Sequence, residues 1–151
     1  MQQFSIKPEY IKKFMQYLFG EDSFAEFEVS LVEIRSFATF TIDGEKPEVD
    51  KTDGKKAYCK WHELRPFARQ IIKGNKPQKM KFIFAHSNPT AVHASAGSLT
   101  LRMDYENENL IFTTGISQKI FDIKLNKEVF AEWDSWVAKF FGKLGYVVQE
   151  V

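Results

Sequence analysis

The residues best suited to chemistry lie in one stretch, which begins at Cys59 and continues as "KWHELRPFARQIIKG". Cys59 and His62 are three positions apart, so a thiol and a base, or two metal ligands, could lie close together. A thiolate nucleophile needs an activating partner, however, and a zinc site usually needs four ligands. The chain has one cysteine, and its remaining histidines, His86 and His93, flank a loop-like stretch. We therefore expect no catalytic residue, no metal site and no cofactor.

The chain lacks the common catalytic and phosphate-binding motifs. It contains no G-x-x-x-x-G-K, G-x-G-x-x-G or G-x-S-x-G sequence. Its acidic residues are scattered or lie in turns, so no carboxylate pair stands out for acid-base catalysis. An enzyme whose site is assembled from distant residues leaves no local motif, and this class of function stays open.

A row of cations follows the same stretch. Four residues share one face of a predicted helix, opposite its apolar stripe: His62, Arg65, Arg69 and Lys73. The first predicted helix adds Lys12 and Lys13, diluted by Glu9. Most such rows are solvated helix surfaces, and the functional alternative is a face that contacts nucleic-acid phosphates. The candidate nucleic-acid-binding residues are this row and the two lysines.

Hydrophobic spacing predicts three helices that would position these residues. The first spans 8–19, the second ends at Gly74 with Pro66 in its first turn, and the third spans 126–144 with Asn126 as its N-cap. Alternating apolar residues predict two strands within 27–43 and further strands at 79–85, 98–105, 109–114 and 118–125, with a tight connection beginning at Thr114-Gly115. This order has no βαβ alternation, which favours an α+β fold with an antiparallel sheet and a C-terminal amphipathic helix.

The totals are typical of one domain, residues 1–151. Apolar residues make up 44% of the chain and include fifteen Phe, enough for one core. The segment 43–56 has one apolar residue and two Asp-Gly pairs, so we expect a mobile surface loop. Trp133 and Trp136 lie on the apolar stripe of the last helix, and the sequence leaves open whether that stripe is core or interface.

Three features predict where the protein is found. One cysteine cannot form an internal disulfide, the N-terminus lacks the features of a secretory signal, and no apolar run approaches the roughly 20 residues that span a bilayer. We expect a soluble, cytoplasmic protein that does not enter membranes. The formal net charge of +1 attracts neither nucleic acid nor anionic lipid to the whole molecule, so such binding must depend on individual faces.

The first two predicted helices share one pattern. An offset of 53 positions aligns Ile11 with Leu64 and Phe14 with Phe67. Each helix follows a short strand and precedes a run of strands, so residues 1–43 and 57–125 are predicted to be repeated halves of one strand, helix and meander unit.

Two resemblances follow from these segments. Five segments carry the first resemblance: "FATFTIDG", "WHELRPF", "IIKGNKP", "TTGISQKIF" and "EWDSWVAKFF". They resemble an uncharacterised family of small proteins from anaerobic Gram-positive bacteria. That likeness spans nearly the whole chain and implies a compact domain without an assigned activity. The repeated strand, helix and meander order resembles one domain of a sliding DNA clamp, whose helices line a ring and face duplex DNA. This second likeness implies duplex DNA as a partner and several copies in a ring.

Three classes of function are therefore compatible with the sequence. The first is a non-enzymatic, clamp-like nucleic-acid-binding module, for which the aligned cations are the supporting feature. The second is a protein-interaction or adaptor domain, which needs no aligned cations and would expose an aromatic patch. The third is an enzyme of unrecognised type. The sequence alone assigns none of them.

Overall fold

The computed structural model of the chain describes residues 2–20, 24–47, 57–118, 121–145 and 148–150. The described strands are β1 (Gln3–Ile6), β2 (Glu28–Arg35), β3 (Thr39–Asp43), β4 (Cys59–Lys60), β5 (Lys79–Ala85), β6 (Ser98–Glu106), β7 (Asn109–Ser117) and β8 (Val148–Glu150). The described α-helices are α1 (Pro8–Gly20), α2 (Trp61–Ile72) and α3 (Ile123–Lys143).

The strands form one antiparallel sheet in the order β3, β2, β5, β6, β7, β1 and β8, with the short β4 paired to β2. Every strand pairing among the described residues is antiparallel. The predicted α+β class, with an antiparallel sheet and a C-terminal helix, is confirmed.

One face of the sheet is buried because apolar residues alternate along each strand. Strand β6, for example, buries Leu99, Leu101 and Met103. All three helices cover this face, as contacts between their rings and those of the sheet demonstrate: Phe14 of α1 lies 5.5 Å and Phe141 of α3 lies 4.9 Å from Phe112, and Trp61 of α2 lies 5.4 Å from Phe82. The opposite face carries polar residues and is the solvated side typical of antiparallel sheets.

Phe24, in the segment between α1 and β2, lies at the centre of the core and is fully buried. Its ring is 5.2 to 6.4 Å from five others, which belong to α1, β5, β7, α3 and the segment before β2: Phe14, Phe84, Phe112, Phe140 and Phe27. This one side chain therefore joins the helical layer to the sheet.

The two parts of the chain have related orders of elements. The first runs β1, α1, β2 and β3, and the second runs β4, α2, β5, β6 and β7. The strands that directly follow α1 and α2, β2 and β5, pair with each other in the sheet. The duplication of residues 1–43 and 57–125 stays a prediction.

The predicted loop 43–56 begins with ordered backbone. Glu45 forms an antiparallel bridge with Tyr58, and the Lys46 amide donates to the Ala57 carbonyl at 2.8 Å. These contacts extend the pairing of β3 toward β4. The remainder of the predicted loop, 48–56, lies outside the described residues.

The second helix differs from its prediction in two ways. It begins at Trp61, because the Glu63 carboxylate accepts from the Lys60 amide at 3.0 Å and caps the helix there. Pro66 consequently lies in the second turn, so its predicted place in the first turn was wrong. Phe67, expected on the apolar stripe, is 65% exposed, and the fully buried Trp61 contributes the large core ring instead.

The chain between β7 and α3 also differs from its prediction. Strand β7 continues through Gly115 to Ser117, so the tight connection predicted at Thr114-Gly115 was wrong. A Cβ atom at Gly115 would lie 2.6 Å from the Thr100 hydroxyl on the adjacent strand. Glycine is therefore needed here because the two strands pack closely, and not because the chain turns.

The third helix begins earlier than expected. It starts at Ile123, so the strand predicted at 118–125 was wrong: 123–125 are helical, and Gln118, Phe121 and Asp122 lie in no strand. Residues 119–120 lie outside the described residues. Asp122, and not Asn126, is the N-cap, because its carboxylate accepts from the Leu125 amide at 3.1 Å. Because this N-cap lies about one turn before Asn126, the residues from Ile123 to Leu125 form the start of the helix.

Candidate nucleic-acid interface and an adjoining aromatic cleft

The C-terminal end of α1 lies against α2. The Trp61 indole N–H donates to the Leu18 carbonyl at 2.9 Å, and the rings of Trp61 and Phe19 are 5.5 Å apart. The Arg69 guanidinium donates to the Phe19 carbonyl. A cation at a helix C-terminus also interacts favourably with the negative end of the helix dipole. Arg69 therefore holds the two helices together as well as contributing charge.

The six predicted nucleic-acid-binding residues lie on α1, on α2 and at the C-cap of α2. Five are exposed: Lys12, Lys13, His62, Arg69 and Lys73. Arg65 is partly buried and engages other groups of the protein. The exposed members are accessible from solvent, as contact with a phosphate requires.

Acidic residues neutralise the N-terminal end of the row. Lys60 Nζ is 2.8 Å from a Glu26 carboxylate oxygen, and Lys46 Nζ is 3.9 Å from one of Glu63. The hydrogen bond and charge of Lys60 lower the pKa of Glu26, while the Lys60 backbone N–H does the same for the pKa of Glu63. His62 lies among these groups, so the net positive charge of the row is concentrated further along the helix.

Cys59 has the properties of a structural thiol. Burial raises its pKa, and the negative charge of Glu63 raises it further. A thiol with a raised pKa provides little thiolate at neutral pH, so pairing with His62 does not create a nucleophile here. Among the described residues, no group of three or more His, Cys, Asp or Glu side chains could hold a metal ion.

An aromatic cleft of about 200 Å³ lies beside the start of α2, between the end of β5 and α3. It is lined by Glu26, Phe27, His86, Ser87, Trp136 and Phe140. Trp136 stacks on Phe140 with ring centres 5.4 Å apart and on Trp133 at 5.3 Å. Trp133 is fully buried and Trp136 is partly buried, so the tryptophan stripe belongs mainly to the core, with one indole at the cleft.

His86, which the sequence suggested was an ordinary surface residue, is part of this cleft. Its ring centre is 4.8 Å from that of Trp136, and its Nδ1 accepts from the Asn88 amide at 3.0 Å. Burial lowers the pKa of His86. The ring is therefore neutral at pH 7, with its proton on Nε2. Its position at the end of β5 gave no sign of this, because Trp136 is 50 residues away in the chain.

This burial predicts how stability changes with pH. In the unfolded chain His86 takes up a proton near its ordinary pKa of 6.5, whereas the folded protein resists protonation until lower pH. Stability contributed by neutral His86 is therefore present above pH 6.5 and is lost as pH falls toward the folded pKa. Urea unfolding between pH 8 and 5 should show a steeper loss for the wild type than for His86→Gln. Parallel curves would contradict this role, since Glu26, the nearby carboxylate, is present in both proteins.

A second cleft, of about 760 Å³, lies at the other side of the loop between β5 and β6. Its lining residues are uncharged and mostly small, including Ser95, Gly97 and Ser117. The Gln118 amide holds the loop to the end of β7 by donating to the Ser95 carbonyl at 2.9 Å and accepting from the Gly97 amide. The described residues that line this cleft include no charged side chain.

The fold and surface define an α+β protein whose antiparallel sheet is covered on one face by helices, and all three helices carry exposed cations. A family model described as "Family of unknown function (DUF5721)" matches residues 17–148, so the chain belongs to that family. No curated protein and no solved structure matches the chain. No helix in the described ranges is long and apolar enough to cross a membrane. The sequence-based assignment to an uncharacterised family is confirmed to this extent.

Proposed function

We propose that this protein is a non-enzymatic nucleic-acid-binding module that contacts phosphates through the outer faces of α1 and α2. The proposal is carried by four exposed lysine and arginine side chains on α1, on α2 and at the C-cap of α2: Lys12, Lys13, Arg69 and Lys73. The two helices lie against each other on one face of the sheet. Lysine and arginine contacts to phosphate release condensed counterions, and such binding needs no sequence-specific contact. With a formal net charge of +1 the protein as a whole is not basic. Attraction to phosphates would therefore come from this one surface.

The clamp analogy gives this surface a role in an assembly. In a clamp, helices face the duplex and sheets form the outer surface, which matches helices on one face and a solvated opposite face here. One domain would need several copies to make a ring, and the sheet ends at β3 and β8 offer edges for pairing copies. We place this module in the cytoplasm of anaerobic Gram-positive bacteria, on the sequence features given above.

Reversing three exposed charges tests the proposal. The variant Lys12→Glu, Lys13→Glu, Lys73→Glu should bind duplex DNA at least about tenfold more weakly at low salt, because three phosphate contacts become repulsive. The slope of log affinity against log salt should also fall by about one for each lost lysine contact. Arg69 is left intact, because its bond to Phe19 contributes to the fold. Fluorescence anisotropy with a labelled 20-base-pair duplex, on the order of two helical turns, measures both quantities.

The matched control reverses the same number of exposed lysines on the other helix: Lys124→Glu, Lys127→Glu and Lys143→Glu on α3. This control should retain most of the affinity, although both variants have the same net charge. An equal loss of DNA affinity in the two variants would mean that binding depends on net charge alone, which would contradict a specific binding surface. No retention of the wild type on DNA at low salt would rule out the proposal.

A protein-interaction role is the second candidate, and exposed aromatic residues favour it. Phe37 is 77%, Phe67 65% and Phe121 82% exposed. Large exposed apolar side chains are common in binding surfaces. Phe37 lies between β2 and β3, Phe67 lies on α2, and Phe121 lies just before α3, where Ile123 is also 62% exposed. If DNA binding is absent, Phe67 on the outer face of α2 is the first residue to test for a protein partner.

A further inference from the structure

We propose that the aromatic cleft beside α2 holds one unstacked nucleobase, so that a single strand of nucleic acid makes a contact there that duplex DNA cannot make. This inference rests on the proposed phosphate-binding surface and adds a second, base-binding site to it. The cleft is defined by Phe27, His86, Trp136 and Phe140, with Glu26 and Ser87 at its edge.

The size and lining of the cleft suit one flat ring. Its volume of about 200 Å³ is below the roughly 300 to 1,000 Å³ of pockets for drug-sized ligands. The indole of Trp136 already stacks on Phe140, within 9° of parallel, and on Trp133, so a base would pack against the part of Trp136 that stays exposed, beside Phe27 and His86. Aromatic side chains hold bases in single-strand-binding proteins without strong sequence preference.

The polar groups of the cleft favour a base over a phosphate. Neutral His86 has its proton on Nε2 and is a donor, whereas Glu26 is a carboxylate that accepts. A carboxylate repels phosphate but accepts a hydrogen bond from the amino group of cytosine. Lys60, bonded to Glu26 at 2.8 Å, balances its charge without removing its second oxygen.

The cleft is continuous with the start of α2. The Trp61 amide donates to the Phe27 carbonyl at 2.8 Å, and the His62 amide donates to the Ala25 carbonyl at 3.2 Å. The first turn of α2 is thus bonded to the segment that lines the cleft. A strand with one base in the cleft would first pass the start of α2, where Glu26 and Glu63 neutralise the row. Its neighbouring phosphates would reach the positive charge further along the helix.

Tryptophan fluorescence with matched oligonucleotides tests this inference. Trp61 and Trp133 are fully buried, so quenching by a stacked base would come mainly from Trp136. The ligands are a 12-mer of oligo(dC), an abasic 12-mer with the same phosphates, a duplex of the same length, and free dCMP. At pH 7.5 and low salt, oligo(dC) should quench the fluorescence and bind at least tenfold more tightly than the abasic strand. The duplex should bind without quenching, and dCMP should quench only at much higher concentration.

Two substitutions in the loop between β5 and β6 distinguish base binding in the cleft from phosphate binding on α1 and α2. Ser87→Phe introduces a ring from an exposed position and should reduce oligo(dC) affinity to that of the abasic strand, without changing abasic binding. Ser95→Phe makes the same change at the second cleft and should bind as the wild type does. Trp136→Leu, verified by its melting curve, should abolish quenching.

The outcomes distinguish failure of the cleft from failure of the surface. Equal affinities for oligo(dC) and the abasic strand, without quenching, would overturn the cleft assignment and leave the phosphate surface standing. Quenching by dCMP at the concentrations needed for oligo(dC) would assign the cleft to a free nucleotide and overturn the strand assignment. Absence of binding to all four ligands would overturn both proposals.

Discussion

Replacing Phe24 by alanine is expected to lower the free energy of unfolding by about 3 to 5 kcal/mol, the usual cost of removing a buried phenyl ring. Phe24 is fully buried and contacts rings of two helices and two strands, including Phe112 of β7 and Phe140 of α3. No single neighbour can fill the space, because its surroundings belong to several different elements. Urea denaturation, followed by the fluorescence of the tryptophans, measures the change.

The control for this substitution is Phe37→Ala. Phe37 is 77% exposed and contacts Phe40 at 5.5 Å, in the turn between β2 and β3. We expect a change within about 0.5 kcal/mol, as is usual for surface positions. A loss at Phe24 no larger than at Phe37 would show that the helical layer does not depend on this ring.

Replacing Gly44 by alanine is expected to destabilise the protein by about 3 kcal/mol or more, through overpacking that the backbone cannot relieve. An added Cβ would overlap the backbone carbonyl of Val29. The backbone of Gly44 is also fixed, because its amide donates to Ser30 at 3.0 Å and its carbonyl accepts from Cys59 at 2.8 Å. Relieving the overlap would break these bonds and displace β4, which leads directly into α2.

Gly142→Ala is the matched control. Gly142 lies inside α3, and among the described residues no atom outside the adjoining turns of its own helix is within 4 Å of the position that its Cβ would take. Alanine there should leave stability unchanged or raise it by up to about 1 kcal/mol, because glycine is the less favourable residue in a helix. Thermal unfolding of both variants decides the comparison. An equal and small effect at the two glycines would show that the strand near Gly44 can move.

The effect at Gly44 also links the fold to the candidate site. Strand β4 ends at Lys60, which caps α2 through Glu63 and neutralises Glu26 at the cleft. A displaced β4 would therefore alter the start of α2 and the cleft together. Loss of nucleic-acid binding in a folded Gly44 variant would follow from this connection, without any change in the cations themselves.

The elements with strong local periodicity were predictable from the sequence. Helix α1 was expected at 8–19 and spans Pro8–Gly20, and β5 was expected and found at 79–85. Both have a regular apolar pattern with clear ends, namely Pro8 and Gly20 for the helix. The exposed cations were predictable for the same reason, because helical spacing determines which side chains lie opposite the apolar stripe.

Long-range contacts decided the features that the sequence did not reveal. Trp61 replaced Phe67 in the core because its indole reaches the Leu18 carbonyl, 43 residues away. Arg69 became a structural residue through the Phe19 carbonyl, and this bond depends on how α1 and α2 pack.

The α+β class and the cationic row were thus already present in the sequence, since composition and local spacing determine them. The family followed from the resemblance of segments along nearly the whole chain, and the family model over residues 17–148 agrees with it. The aromatic cleft depended on tertiary structure alone. His86 and Trp136 have no local pattern in common, and their rings meet at 4.8 Å only because α3 folds back over the end of β5. Residues that meet only in the folded structure show no periodic pattern in the sequence. The same packing buries His86 and thereby lowers its pKa.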